Sequence, residues 1–131
     1  MPQTWTSDNT DAIERLKIQY GTSLVYPNVS MGCHVSAIPN HQVHRMTPLN
    51  TRGVVAMSGN FGYELDITKL SDEEKEMIKE QIKNYKEIRE TIQFGDYHRL
   101  SNPFENNDVA WMFISKDSNE VVVSYVRQRA V

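Results

Sequence analysis

The residues of this sequence best suited to chemistry lie near its start, in the run Trp5-Thr6-Ser7-Asp8-Asn9-Thr10-Asp11-Ala12-Ile13-Glu14-Arg15. The run brings a tryptophan, two aspartates and an arginine to the beginning of a helix. Asp11 stands where an N-cap belongs, its carboxylate able to accept from a backbone N–H of the first turn. Asp8 stands just ahead of the helix, where a side chain can point into a cleft. A carboxyl so placed can give up and recover a proton, the work of a general acid/base. Trp5 is a candidate for contact with a substrate. Arg15 is a candidate for orienting Asp8 or Asp11, or for bridging neighbouring elements. A polar loop that ends in a helix cap is also common without any catalytic role, so the run by itself leaves both readings open.

Cys33, His34, His41 and His44 form a second constellation. Zinc takes four ligands in a tetrahedral array, and four nominal ligands are present. Yet no Cys-x-x-Cys pair occurs, and adjacent Cys33 and His34 cannot readily point at one ion. The segment reads better as a pocket rim or an interface than as a metal site. Cys33 beside His34 is also a poor nucleophile–base pair, because such a dyad usually draws its members from separate segments. The Gly59-Asn60-Phe61-Gly62 turn is too short for a phosphate loop.

Several elements must position these residues. Asp11 with Glu14 three residues later has the capping-box spacing, and Ile13, Leu16, Lys17 and Tyr20 follow at helical intervals until Gly21 stops the helix. Residues 23–26 read as a short buried strand closed by Pro27. Residues 31–50 read as a long irregular loop, a kind usually tied to function or to an interface. Residues 53–58 read as another short apolar strand, followed by the turn at 59–62. The clearest helix runs over 71–92. Ser71 and Glu74 make its capping box, Asp72 and Glu73 suit the positive helix end, and Ile78, Ile82, Tyr85, Ile88 and Ile92 form its buried stripe. The charge run at 72–79 reads as a solvated face. After Gly95 the period changes, and 109–115 and 120–127 read as an antiparallel hairpin around Lys-Asp-Ser-Asn. Short apolar strands alternating with helices point to parallel βα units, and the switch near Asp96 to a second, all-β domain.

The 131 residues are 39% hydrophobic and 24% charged, the balance of a globular protein rather than a disordered one. A net charge of -3 and a pI near 5.8 disfavour nucleic acid as a partner, because phosphate binding needs clustered Lys and Arg. No apolar run approaches the roughly 18 residues that cross a bilayer, so no membrane partner is expected. Cys33 is the only cysteine, so no intrachain disulfide forms. With no signal pattern at 1–11, the cytoplasm is the expected location.

Ser7-Asp8-Asn9-Thr10-Asp11-Ala12-Ile13-Glu14-Arg15 resembles the Ser-Asp-x-x-Asp-x-x-x-Arg signature of the α-galactosidases of glycoside hydrolase family 36. The resemblance extends from Pro2-Gln3-Thr4-Trp5 through Lys17-Ile18-Gln19-Tyr20-Gly21-Thr22-Ser23. It includes Met31-Gly32-Cys33-His34-Val35-Ser36, Pro39-Asn40-His41-Gln42, Thr51-Arg52-Gly53 and Met57-Ser58-Gly59-Asn60-Phe61-Gly62-Tyr63-Glu64-Leu65-Asp66. It runs on through the long helix to Ile92-Gln93-Phe94-Gly95-Asp96. What it implies is an α/β fold: residues 1–95 as the C-terminal portion of a (β/α)8 TIM barrel, and 96–131 as the start of an antiparallel β-sandwich domain. Active sites of such barrels sit at the C-terminal ends of the strands, and the first Asp of the signature, the family's general acid/base, maps to Asp8. The implied reaction is double displacement with retention on terminal α-linked galactose, as in melibiose or raffinose-type oligosaccharides, in which two carboxyls lie about 5 Å apart. It needs no cofactor. Family relatives imply a homotetramer for the parent enzyme.

The sequence departs from the family in two respects. The family's nucleophile lies in a Lys-Trp-Asp motif, and neither Trp5 nor Trp111, the only tryptophans, has such neighbours. A Gly-rich loop expected ahead of the signature is also absent. The expectation is a fragment cut at both ends, with Met1 an internal methionine, inactive alone and prone to associate through exposed strand edges. Other readings are a related α-glycosidase or galactosyl transferase, or a non-catalytic interaction module in which 31–50 and the β tail serve assembly.

Overall fold

The computed structural model describes residues 3–130; Met1 and Pro2, where the sequence resemblance begins, and Val131 lie outside them. Helix α1 spans Ala12–Ser23, with the Asp11 carboxylate accepting from Glu14 N at 3.0 Å. Its buried residues Ala12, Arg15, Leu16 and Gln19 recur at the spacing of one helix face. Gly21 does not end it. The chain leaves through a turn in which Leu24 N donates to Gly21 O and Tyr26 N to Thr22 O. The strand expected at 23–26 is therefore absent, and Leu24, Val25 and Tyr26 are exposed. A run of apolar residues imitates a strand, but among the described residues no neighbour pairs with it.

The expected irregular segment holds strand β1, Gly32–Ser36, which pairs in parallel with β2, Asn60–Glu64. The register sets His34 opposite Gly62 and Ser36 opposite Glu64. A parallel bridge joins Thr4 to Met31 on the other side of β1, with Gly32 N donating to Thr4 O at 3.0 Å. Between the strands lies helix α2, Leu49–Ala56, where the sequence reads as a strand. A short apolar run does not by itself separate buried helix from strand. Here Leu49, Arg52, Gly53, Val55 and Ala56 are all buried. The expected turn at 59–62 is the beginning of β2.

Helix α3, Asp72–Phe94, carries the expected capping box: Glu74 N donates to Ser71 Oγ at 3.1 Å, and Ser71 N to Glu74 Oε2 at 2.9 Å. Of its apolar stripe, Tyr85 and Ile92 are buried, while Ile78, Ile82 and Ile88 remain partly exposed. Three antiparallel strands follow in the order β3 (Asp96–Arg99), β4 (Asp108–Ile114) and β5 (Val121–Arg127). The hairpin matches its expectation. Strand β3 was not foreseen, because Asp-Tyr-His-Arg has no apolar alternation.

Two apolar clusters hold these layers together. Met31, Cys33 and Val35 meet Leu49 and Ala56 between β1 and α2. A larger cluster joins Ala12 and Leu16 of α1, Val55, and Tyr85 and Ile92 of α3 to Val109, Trp111 and Phe113 of β4 and Val126 of β5. This core runs across position 95, where the change of period falls. Gly95 lies at that crossing in extended conformation (φ -71°, ψ 172°). A Cβ there would collide with the carbonyl oxygens of Thr91 and Ile114, so the glycine is required by close approach.

Candidate active site

The parallel strands give the site its platform. Side chains alternate across a strand, and Cys33 and Val35 point into the cluster beneath α2. Gly32, His34 and Ser36 therefore point to the opposite face, together with Gly62 and Glu64 of β2. This face is polar or bare where parallel sheets are ordinarily apolar on both sides. Gly62 makes room for the imidazole, since a Cβ there would sit 3.0 Å from His34 Cδ2.

The segment carrying Asp8 enters beside β1 through the Thr4 bridge and then turns sharply. Ser7 N donates to Trp5 O at 2.8 Å across Thr6, whose φ of 67° lies in the left-handed region. The turn brings Trp5 back over Asp8, and the indole Nε1 donates to Asp8 Oδ1 at 2.9 Å. The other side of the indole faces His34, with ring centroids 5.2 Å apart. Asp8 is exposed, and among the described residues its Oδ2 accepts no hydrogen bond. Trp5, Ser7, Thr10, Arg15, His34 and Glu64 line one small recess beside it.

Arg15 reaches neither Asp8 nor Asp11. Its guanidinium is buried, donating from Nη1 to Thr6 Oγ1 at 2.5 Å, from Nη2 to Gly32 O at 2.8 Å and from Nε to Gln19 Oε1 at 3.1 Å. It bridges α1, the Thr6 turn and β1, the last of the roles its position allowed. Asp11 pairs instead with Arg45. Asn40 knots the loop at 37–48 by accepting from the backbones of Gln42 and Val43, and its Nδ2 donates to Thr10 Oγ1 at 3.2 Å. The loop is thereby tied to the start of α1, next to Asp8. Arg52 fixes its two ends, donating to Ser36 O at 2.8 Å and to Thr47 O at 2.9 Å. Burial lowers the Arg52 pKa, an effect that the charge of Glu74 opposes.

The four nominal metal ligands are dispersed. Cys33 is fully buried on the helix side of β1, and His34 lies on the other face. His41 and His44 are exposed in the loop. Among the described residues no three of His, Cys, Asp and Glu gather in a ligating arrangement. Burial raises the Cys33 pKa, with the nearby Arg15 pulling the other way. A thiol held neutral is a packing group rather than a nucleophile. The sequence reading missed Glu64 and the part His34 plays beside Trp5. Period-two alternation at 31–35, masked by Gly32, is the signal available for His34, and the alternation of Phe61 and Tyr63 with Gly62 is the one for Glu64.

Comparison with known proteins places this arrangement. Residues 1–95 match the family described as Melibiase. Alpha-galactosidase AgaA of Geobacillus stearothermophilus is 66% identical over 127 residues, which are 97% of this chain and 17% of that protein. Alpha-galactosidase Mel36A of Lactobacillus acidophilus is 57% identical over 129 residues, 98% of this chain and 18% of its own. A crystal structure of a variant of the Geobacillus enzyme in complex with 1-deoxygalactonojirimycin superposes with a TM-score of 0.95 at 66% identity, covering 97% of this chain and 18% of that one. Other variants of the same enzyme were crystallised with raffinose and with stachyose. This chain therefore spans under a fifth of the length of such relatives, and its mixed α/β fold is theirs over nearly all of its residues. On the match over residues 1–95, the chain belongs to the Melibiase family.

Proposed function

We propose that this chain is the segment of a retaining α-galactosidase that carries the general acid/base, Asp8, and acts on terminal α-galactosyl groups of raffinose-type oligosaccharides. The observation that carries the reading is the placement of Asp8. It follows the first of three adjacent parallel segments, at their C-terminal side, held by Trp5 on the face that the helices leave open. Consecutive parallel segments each followed by a helix support a reading as the closing units of a (β/α)8 barrel, whose chemistry lies at that side. The antiparallel strands after position 95 would begin the domain that follows it.

In this mechanism a second carboxylate, from outside this segment, attacks the anomeric carbon. As that bond forms, the bond to the departing oxygen breaks, its electron pair stays on the oxygen, and the proton of Asp8 moves there. Water then attacks the glycosyl-enzyme, giving its proton to Asp8 while the nucleophile leaves with its electron pair. The anomeric configuration is retained and Asp8 regains its proton.

The test is Asp8→Ala in the full-length polypeptide. Turnover of raffinose should fall by about 10²- to 10⁴-fold, and turnover of an activated aryl α-galactoside by much less, since acid assistance matters most when the leaving oxygen is basic. Equal losses on both substrates would remove Asp8 from the acid role.

A further inference from the structure

We infer that Trp5 is a positioning residue for Asp8, holding one carboxyl oxygen so that the other, Oδ2, is the one that exchanges the proton; the inference rests on the reading of Asp8 given above. Four observations converge on it. The indole N–H donates to Asp8 Oδ1 at 2.9 Å, and no second donor among the described residues reaches that carboxyl. An exposed carboxylate with a single, fixed partner has one oxygen engaged and one at liberty. A rotation about the Cβ–Cγ bond that exchanged the two would cost that hydrogen bond.

The indole is itself seated. His34 faces it from β1 at 5.2 Å between ring centroids, in a tilted arrangement within the range of favourable aromatic pairs. His34 projects from the middle of a paired strand, opposite a glycine that gives its ring space. The tryptophan therefore rests on the sheet, although half of its own surface is exposed.

The third observation is the backbone between Trp5 and Asp8. The Ser7 N to Trp5 O bond closes a three-residue turn about Thr6 with φ at 67°. For a β-branched residue this is an outlier, and such conformations persist only where surrounding structure enforces them. Here the enforcement is visible. Arg15, buried and fixed by Gly32 O and Gln19, donates to the Thr6 hydroxyl at 2.5 Å. Without this reversal the chain would run on extended, and successive side chains would point to opposite faces. With it, an indole three residues upstream folds back onto the carboxyl.

The fourth is the recess between them. Trp5, Arg15 and His34 line it together with Glu64, so strand, turn and helix all border the same small space as the indole. The arrangement forms one chain of support, from β1 and α1 through Arg15 and His34 to Thr6 and Trp5, and so to Asp8. Held in this way, Asp8 presents Oδ2 to the glycosidic oxygen in the first step and to the incoming water in the second. The proton leaves and returns at one atom.

The experiment uses the full-length polypeptide that carries this segment, with raffinose and p-nitrophenyl α-galactoside as substrates. Trp5→Phe keeps a ring on His34 and removes the indole N–H. The expected result is a fall in kcat on raffinose of about 10-fold or more, part of what acid catalysis supplies, with KM changed less than about twofold and the aryl substrate slowed by less than about threefold. Asp8→Asn is run beside it. If Asp8→Asn cripples raffinose turnover and Trp5→Phe leaves it within about twofold of the parent, the positioning role is overturned and the reading of Asp8 stands. If Asp8→Asn itself leaves raffinose turnover intact, the reading of Asp8 falls and takes the inference with it. Equal losses on both substrates for Trp5→Phe would mark a merely structural tryptophan and also overturn the inference. Should Trp5→Phe fail to fold, Thr6→Gly decides the question. It tolerates the positive φ but severs the tie to Arg15, so the raffinose-selective loss should recur, and its absence would overturn the inference.

Discussion

Truncating Phe113 to alanine should destabilise the helices as much as the strand on which it sits. The ring is 1% exposed and packs against Tyr97 at 5.0 Å between centroids, within the cluster that also holds Leu16, Val55, Tyr85 and Ile92. Its removal forfeits the transfer free energy of nearly the whole side chain and leaves a cavity inside the cluster that joins the antiparallel sheet to the helices. Buried Phe→Ala changes cost about 3–5 kcal/mol. With a urea slope near 2 kcal/mol per molar, the midpoint should fall by about 1.5–2.5 M. The assay is urea unfolding of the 131-residue chain at high dilution in a Trp5→Phe background, which leaves Trp111 as the lone tryptophan. Near-ultraviolet circular dichroism of Trp111 follows the antiparallel sheet, and the far-ultraviolet signal follows the helices. Both should move together. Lys83→Ala, on the exposed face of α3, should stay within about 0.5 kcal/mol. Ile82→Ala should fall below the range for fully buried positions, because Ile82 is partly exposed. The reasoning fails if the Trp111 transition shifts while the helical one stays in place, since the two parts would then have separate cores.

Other outcomes can be checked on the same chain. Purified alone, it should not hydrolyse an aryl α-galactoside, as it has no Lys-Trp-Asp motif; Asp8-dependent turnover would contradict this. Cys33, buried and with its pKa raised, should resist iodoacetamide near neutral pH and react in urea; rapid labelling of the native chain would show β1 open to solvent. Burial pushes Tyr63 up to about 12, so its contribution to stability is complete below its unfolded pKa near 10 and is lost as the pH climbs towards 12. Tyr63→Phe should flatten that part of the urea-midpoint curve, and an unchanged slope would count against it. Val121, Val123 and Tyr125 leave one face of β5 apolar, on an edge strand, so the chain should self-associate in sedimentation experiments. Val123→Lys should raise the monomer fraction, and association of undiminished strength would place the contact elsewhere.

What could be read from the residues divides along a physical line. Local signals were legible. Asp11 and the pair Ser71 and Glu74 announce helix starts because a cap is made within four residues, and the β4–β5 hairpin announces itself by alternation. Elements fixed by distant partners were not. Gly53 and two valines imitate a strand. The glycine is there because α2 passes so close to Gln81 that any Cβ would displace its amide, which donates to Leu49 O and accepts from Tyr63. Gly62 imitates a turn because it faces a histidine on another strand. At the site, the motif singled out Asp8, but a donor three residues upstream depends on a backbone reversal that no propensity predicts, since Thr6 is among the residues least suited to it. His34 drew notice as a possible ligand. Only the strand it occupies reveals that it supports a ring.

The crossing at Gly95 bears on motion. A hinge needs slack, and here the helix end and Ile114 of β4 leave no room even for a methyl group. The neighbouring contacts tighten the joint: Thr91 pairs with Glu120 across it, and Lys116 reaches Asp96 at 2.6 Å. Bending there would drive carbonyl oxygens together in one direction and open the Phe113 cluster in the other. Helix α3 and the antiparallel sheet should therefore turn as a single lever. A push on the outer strands would be transmitted to the base of the parallel layer, rather than absorbed where the sequence changes character.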